Sequence, residues 1–209
     1  MSSGPYPFTL YLPPDGETRS VTVANADEAV AVLTTLDRGG DLAAPEPAEG
    51  VGLCLHLSTR LAYELELSGL LRATLEQRIG LTDDAGQGVE LAVHEALVNA
   101  IIHGNLGMSS VDRQTIEGLM QFGAELEARL GDPVLATRLV MIVVSWTDTE
   151  LTVVITDQGS GYDCADALAP SSEDDIARKS GRGLALIQAL AHAVTLRDSG
   201  RCIEMRFSR

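Results

Sequence analysis

Residues 90–105 read ELAVHEALVNAIIHGN, and this pattern predicts a helix that is buried on nearly every side. Glu95 and Asn99 are four residues apart, so a helix places them on one face, and His103 lies one further turn along. Burying a carboxylate and an amide without partners costs free energy, so something polar must occupy that face. The apolar residues that fill one side of this helix are Val93, Ala96, Leu97, Ala100 and Ile101.

The residue types on this polar face allow two interpretations. In the first, Glu95 and Asn99 are structural, as partners of a helix cap or an ion pair elsewhere in the fold. In the second, they form a site for a metal ion and phosphate, in which Asn99 offers a neutral oxygen to Mg²⁺ and Glu95 acts as a general base. The helix taken alone is compatible with both.

A second informative stretch is VVITDQGSGYD at residues 153–163, where a strand-like run leads into Asp157. A carboxylate at the end of a buried strand can accept a hydrogen bond from an exocyclic amine. Gly159 and Gly161 alternate after it, and glycines permit unusual dihedral angles and a close approach of ligand to backbone. An aspartate followed by two alternating glycines also occurs in ordinary loops, so this stretch is not specific by itself.

A third stretch, SGRGLALIQ at residues 180–188, places Gly181 and Gly183 at the start of an apolar helix. Free backbone N–H groups and the helix dipole favour phosphate at such a position. Glycines also begin helices that bind no ligand. The sequence contains neither a Walker A motif nor a GxGxxG motif that follows a strand.

Residues 1–50 read as an N-terminal extension, and residues 51–209 as the main domain. Strand-like runs at 6–12 and 19–24 flank the turn sequence PPDG, which predicts a β-hairpin. A helix is predicted over 27–37, and the Gly-, Pro- and Ala-rich stretch at about 39–50 predicts a linker. A hairpin and one helix are too small for a stable core, so we expect the extension to pack on the main domain or on a partner.

Helices and strands alternate irregularly through the main domain. This order predicts an α+β two-layer sandwich, with a mixed, mostly antiparallel sheet and helices on one face. Strands are predicted at 51–57, 138–146, 151–157, 195–198 and 202–208, and helices from Ser58 or Thr59 to about 79 and over 84–103, 111–130 and 183–194.

The composition excludes several classes of function. A net charge of −15 disfavours nucleic acid as a partner, and it means that any bound polyphosphate needs a cation such as Mg²⁺. The three cysteines are far apart and form no CxxC pair, which favours a reducing compartment. With no apolar run of membrane-spanning length, the sequence predicts a cytoplasmic protein without a membrane partner.

The three stretches together, in this order, resemble the N box and the two glycine boxes of the GHKL (histidine kinase-like) ATPase superfamily. HEALVNAIIHGN, DQGSGYD and GRGLALIQALAHAV are most similar to bacterial anti-sigma factor serine/threonine kinases. The resemblance covers about residues 51–209 and implies a Bergerat-type ATP-binding fold.

The resemblance also implies roles for individual residues. Asn99 would coordinate the Mg²⁺ that bridges the ATP phosphates, Glu95 would be the general base, and His103 would contact phosphate. Asp157 would bind the adenine amino group, and segment 162–180 would be the lid over ATP. The remaining implied contacts to the nucleotide are Gly159 and Gly161 at the adenine pocket and Gly181, Arg182 and Gly183 beside the phosphates.

The activity that this resemblance implies is an Mg-ATP-dependent protein serine/threonine kinase that regulates a partner protein in bacterial signalling. The partner would be a sigma factor or a regulator similar to an anti-sigma antagonist, and a homodimer is compatible with the sequence. Two alternatives stay open. One is an ATP-binding switch that transfers no phosphate, and the other is a detached histidine-kinase-type catalytic domain.

Overall fold

A computed structural model describes residues 6–12, 17–23, 51–108, 115–161 and 182–209. For the two N-terminal strands and for residues 51, 52, 54 and 182 the description covers the backbone alone. The predicted helix over 27–37, the linker at 39–50, the lid at 162–180 and Gly181 lie outside the described residues.

A five-stranded sheet forms the centre of the main domain, with strand order β3-β4-β5-β7-β6 and antiparallel pairing throughout the described strands. The sequence predicted a mostly antiparallel sheet with the apolar run at 138–146 in its interior, and β4 has a neighbour on each side. The strands are β3 (Val51–Ser58), β4 (Leu139–Trp146), β5 (Glu150–Thr156), β6 (Ala193–Arg197) and β7 (Cys202–Ser208).

The predicted N-terminal hairpin is present as a separate two-stranded sheet. Its strands β1 (Tyr6–Leu12) and β2 (Glu17–Val23) pair antiparallel, with Tyr6 opposite Val23 and Leu12 opposite Glu17. The division of the chain at about residue 50 stays a prediction.

Helices α1 (Thr59–Glu64) and α2 (Leu67–Ile79) replace the single helix predicted from residue 58 to 79. Ser58 caps α1, since its hydroxyl accepts a hydrogen bond from the Leu61 N–H at 3.3 Å. The chain is extended at Leu65, which ends α1. One continuous helix would point Leu61 and Leu67 about 120° apart. The break allows both leucines to be buried, at 5% and 2% exposure.

Helix α3 (Asp83–Val98) begins at Thr82, whose hydroxyl accepts from the Ala85 N–H, and it carries the polar face found in the sequence. The helix predicted to end near residue 103 instead continues as a π-helix, Asn99–Asn105. The Leu106 N–H bonds to the Ile101 carbonyl five residues earlier, at 2.9 Å, as π geometry requires. Such π segments occur frequently at functional sites.

The remaining helices are α4 (Ile116–Gly131), α5 (Pro133–Ala136) and α6 (Arg182–Leu190). Helix α4 agrees with the polar, exposed helix predicted over 111–130, although it exposes Ile116 and Met120. Helix α6 ends at Leu190, four residues before the predicted end, because the His192 N–H already bonds to the Arg206 carbonyl of β7. Pairing with β7 therefore turns residues 193–197 into a strand.

One face of the sheet and the helices that cover it form the core. Alternate residues of each strand point into this layer, as the burial alternation of β4 and β5 shows. The α+β two-layer architecture predicted from the sequence is therefore confirmed. None of the helices in the described part of the chain combines the length and apolar character needed to cross a membrane. The fully buried large side chains include Leu55, Leu57, Leu71, Leu75, Leu106, Ile142, Leu151, Ile155 and Ile187.

Candidate functional site

The polar face of α3 meets the start of α6. A β-carbon placed on Gly183 would lie 2.7 Å from Oε2 of Glu95 and 3.6 and 3.8 Å from the amide atoms of Asn99. The start of α6 is therefore packed directly against both side chains, and a larger residue at position 183 would displace the Glu95 carboxylate. The fold thus joins the first and third of the stretches identified in the sequence, although Gly183 follows Asn99 by 84 residues.

The π segment meets the loop after β5 just as closely. A β-carbon on Gly159 would lie 2.7 Å from Cα of Gly104 and closer still to its carbonyl group. A β-carbon on Gly104 would lie 2.5 to 2.7 Å from the carboxyl atoms of Asp157. Gly159 is therefore required by contact with backbone, whereas a β-carbon on Gly104 would displace the Asp157 side chain. The second stretch thus lies against the same α3–π unit as the third.

The side chains of Glu95 and Asn99 are half-buried between α3 and α6. Among the described residues neither side chain has a hydrogen-bond or ion-pair partner. The structural interpretation required such a partner, in a cap or an ion pair. Half-buried polar groups with no partner in the described ranges agree with the second interpretation, in which a ligand supplies the missing contacts.

Asp157 is buried, with 9% of its surface exposed. Its Oδ1 accepts a hydrogen bond from the Gly159 N–H at 2.7 Å, and no donor in the described ranges reaches Oδ2. Burial raises the pKa of the Asp157 carboxyl, while the Gly159 bond and the charges of Arg201 and Arg138 act in the opposite direction. The free oxygen leaves Asp157 able to accept a hydrogen bond from a ligand.

His103 is exposed at the end of the π segment. Its Nδ1 lies 2.8 Å from the Met108 carbonyl oxygen. A carbonyl only accepts, so Nδ1 carries the proton and the Nε2 atom remains available. In the neutral ring Nε2 is an acceptor, so His103 can donate to a phosphate oxygen only as the imidazolium.

Three further nucleotide contacts were predicted, at Gly161, Gly181 and Arg182. Gly161 has φ of +73°, and a β-carbon there would collide with the Ser199 carbonyl oxygen, so the Asp198–Gly200 turn explains this glycine. Arg182 begins α6, with only its backbone described. The nucleotide contacts predicted for Gly161, Gly181 and Arg182 stay predictions.

Asn105 is a site-building residue that the sequence-based predictions missed. It is completely buried, and its side chain bonds both to β4 and to the loop that carries Asp157. The only signal in the sequence is its place directly after Gly104, at the end of the long apolar helix. Nothing in that position indicates which distant backbone groups the amide would bind.

The chemistry available here suits a nucleotide with a bound cation. A metal ion held by protein alone needs several ligands, and the described residues contain no group of three or more His, Cys, Asp or Glu in position to hold one. Mg²⁺ typically uses one or two protein oxygens together with phosphates and water. The Asn99 amide lies near Gly183 and has no partner among the described residues, and it fits that type of coordination.

We expect Asp157→Asn to raise the thermal stability of the nucleotide-free protein at pH 7. Burial raises the pKa of Asp157 above that of the unfolded chain, so its contribution to stability is most favourable below the unfolded pKa and is lost as the pH rises through the folded pKa. The gain in melting temperature should therefore shrink as the pH is lowered towards 4. Asp148→Asn, in the exposed turn after β4, is the control and should change little. A variant less stable than wild type at pH 7 would contradict this expectation.

The comparison with known families agrees with this geometry. The family model described as the histidine kinase-like ATPase domain matches residues 57–207, a range that contains Glu95, Asn99, Asp157 and Gly183. No curated protein sequence is significantly similar to the chain.

Proposed function

This chain belongs to the histidine kinase-like ATPase family, whose domain binds ATP, and we propose that it is an Mg-ATP-dependent protein serine/threonine kinase. The observation that carries the proposal is the carboxylate of Glu95, half-buried beside Asn99 and without a partner among the described side chains. A carboxylate held in this way is available to accept a proton from a substrate hydroxyl.

The adenine end of the nucleotide is assigned to Asp157. Its Oδ2 atom has no donor in the described part of the chain. An adenine amino group would supply the missing hydrogen bond and thereby offset part of the cost of burying the carboxylate. Gly159 keeps the backbone of this loop close to the π segment.

The phosphate end is assigned to the junction of α3 with the start of α6. The N-terminus of α6 provides free N–H groups and a positive dipole end, which favour phosphate. Asn99 would hold Mg²⁺ through its amide oxygen, and the ion would neutralise phosphate charge that a protein of net charge −15 otherwise repels. His103, whose Nδ1 bonds to the Met108 carbonyl, would contact phosphate through Nε2 as the imidazolium.

The proposed phosphate transfer uses Glu95 as the base and ADP as the leaving group. Glu95 accepts the hydroxyl proton of the substrate serine or threonine as its oxygen forms a bond to the γ-phosphorus. The bond between the γ-phosphorus and the β–γ bridging oxygen breaks, and ADP leaves with that electron pair. The site's own task is to position the nucleotide and the hydroxyl and to hold the proton at Glu95.

Two other functions use the same nucleotide site. A switch module would bind ATP and a partner without transfer, and it would need no base at position 95. A detached histidine-kinase-type domain would transfer phosphate to an imidazole, which is already nucleophilic and places less demand on a base. The carboxylate of Glu95, which no described residue pairs with, therefore favours the serine/threonine kinase.

For the partner we propose a sigma factor or a regulator similar to an anti-sigma antagonist, met in the cytoplasm by a monomer or homodimer of this chain. The acidic charge suits a partner with a basic surface. The decisive experiment recovers binding partners from the native host and supplies them with the protein and radiolabelled ATP. Label on a serine or threonine of a recovered protein supports the kinase. Label on histidine favours the histidine-kinase alternative, and binding without label favours the switch.

We expect Asn99→Ala to remove the Mg²⁺-dependent part of ATP affinity. Wild-type protein should bind ATP more tightly with Mg²⁺ than with a chelator, and the variant should lose about tenfold or more of that gain. Calorimetry with and without Mg²⁺ measures both. Gln87→Ala, an exposed amide on the same helix, is the matched control. An unchanged Mg²⁺ dependence in Asn99→Ala would remove Asn99 from the metal site, and no ATP binding by folded wild type would remove the ATP assignment itself.

A further inference from the structure

Asn105 lies at the end of the π segment with none of its surface exposed. Its amide nitrogen donates two hydrogen bonds, to the Thr59 hydroxyl at 2.9 Å and to the Leu139 carbonyl at 3.0 Å. Its side-chain oxygen accepts a hydrogen bond from the Gln158 N–H at 2.7 Å. Both hydrogens of the amide and one lone pair of its oxygen are therefore used, at full burial.

The partners of Asn105 are themselves connected. The Thr59 hydroxyl and the Thr59 N–H both donate to the Arg138 carbonyl, at 2.8 and 2.7 Å. The Gln158 side chain accepts from the Leu139 N–H at 2.7 Å, and the Arg138 guanidinium donates to the Asn105 carbonyl at 2.6 Å. The result is a closed network that joins the start of α1, the start of β4, the π segment and the loop after β5.

This network bears directly on the position of Asp157. Gln158 follows Asp157 directly, and its N–H donates to the Asn105 side chain. The N–H of the following residue, Gly159, donates to the Asp157 carboxylate. On the other side, Gly104 precedes Asn105 and lies against both Asp157 and Gly159. The amide of Asn105 thus fixes the distance between the segment that follows Asn99 and the carboxylate at the end of β5.

We propose that Asn105 is a positioning residue that holds the Asp157 loop in register with the α3–π unit, and so couples the adenine end of the nucleotide site to its phosphate end. The proposal rests on the nucleotide site described under Proposed function. It assigns Asn105 no contact with ATP. Its effect passes through the backbone of Gln158 and through Gly159.

A merely structural role would predict a loss of stability without a change in selectivity. The positioning role predicts that the loop loosens first, so that discrimination of the adenine amino group falls. The probe is purine riboside triphosphate, which differs from ATP by lacking only that amino group. The preference for ATP over this analogue reports the geometry at Asp157, whereas affinity for the shared triphosphate does not.

The test uses the full chain and three variants. Asn105→Ala removes the whole amide. Thr59→Val keeps Asn105 but removes the hydroxyl that anchors it, while the Thr59 N–H still satisfies the Arg138 carbonyl. Thr74→Val is the matched control, because Thr74 is also buried and its hydroxyl donates to the Leu70 carbonyl within α2.

Two readouts are taken on each folded variant. Hydrogen exchange of the Gln158 amide in the nucleotide-free protein should accelerate at least about tenfold in Asn105→Ala and by a smaller factor in Thr59→Val, and should stay unchanged in Thr74→Val. The preference for ATP over the analogue should fall in the same order, by about tenfold in Asn105→Ala. If Asn105→Ala does not fold, Thr59→Val against Thr74→Val still decides the matter.

The outcomes separate this proposal from the proposed function. Unchanged Gln158 exchange in Thr59→Val and Asn105→Ala overturns the positioning role, and so does equal loss of ATP preference in Thr59→Val and Thr74→Val. If wild-type protein binds neither nucleotide, the proposed function fails, and the coupling of two nucleotide ends fails with it. In that case, faster Gln158 exchange in Thr59→Val but not in Thr74→Val would identify Asn105 as a purely structural restraint.

Discussion

Glu95→Gln should bind Mg-ATP within a few-fold of wild type and transfer phosphate about 10² to 10⁴ times more slowly. The amide has nearly the shape of the carboxylate but does not take up a proton from the substrate hydroxyl. Since the Glu95 side chain has no partner among the described residues, the substitution breaks no described contact. Calorimetry measures binding, and single-turnover transfer of radiolabelled phosphate to the recovered partner measures the chemical step.

Glu90→Gln provides a matched control for this experiment. It makes the same chemical change on the same helix, at a residue that forms a half-exposed ion pair with Arg72, at 3.0 Å. Such a pair contributes little to stability, so transfer should remain at the wild-type rate. Wild-type rates in Glu95→Gln would show that Glu95 is not the base. A wild type that never transfers to any recovered partner would leave the switch as the function.

Gly159→Ala should lower the free energy of unfolding by about 1–3 kcal/mol or more and reduce phosphate transfer about 100-fold. The added methyl group would meet the Cα, carbonyl carbon and carbonyl oxygen of Gly104, with the Cα at 2.7 Å. These are backbone atoms, so no side-chain rotation can relieve the contact. Either the Asp157 loop or the π segment must move, and the site is built from both.

The control for this prediction is Gly123→Ala in α4, where an added methyl group has no neighbour within 4 Å. An alanine there removes the helix penalty of glycine and should stabilise the protein by about 0.5–1 kcal/mol. Chemical denaturation of both variants gives the two free energies of unfolding. A Gly159→Ala protein as stable and as active as wild type would mean that the two backbones do not touch in solution.

The sequence determined the fold class and the three parts of the site because both depend on local patterns. Short apolar runs predict β4 and β5, with bounds within one residue of those observed. The buried helix could be recognised from its apolar residues. Glu95 and Asn99 were recognised as polar side chains on a helix that is otherwise mostly apolar. Membership of the histidine kinase-like ATPase family could likewise be read from three short motifs.

Contacts between distant segments decided what local patterns could not. The apolar pattern runs on to Val194, but helix α6 ends at Leu190 because the residues that follow pair with β7. The break after α1 lets Leu61 and Leu67 reach the core together.

The same holds for the details of the site. Asn105 bonds to Gln158, which is 53 residues away, and nothing near Asn105 in the chain encodes that partner. Residue types and their spacing predicted which groups would carry the chemistry, since helix and strand periodicity act over a few residues. Only tertiary packing placed Gly183 against Glu95 and Gly104 against Asp157, because the distance between two segments is set by the whole core that lies between them.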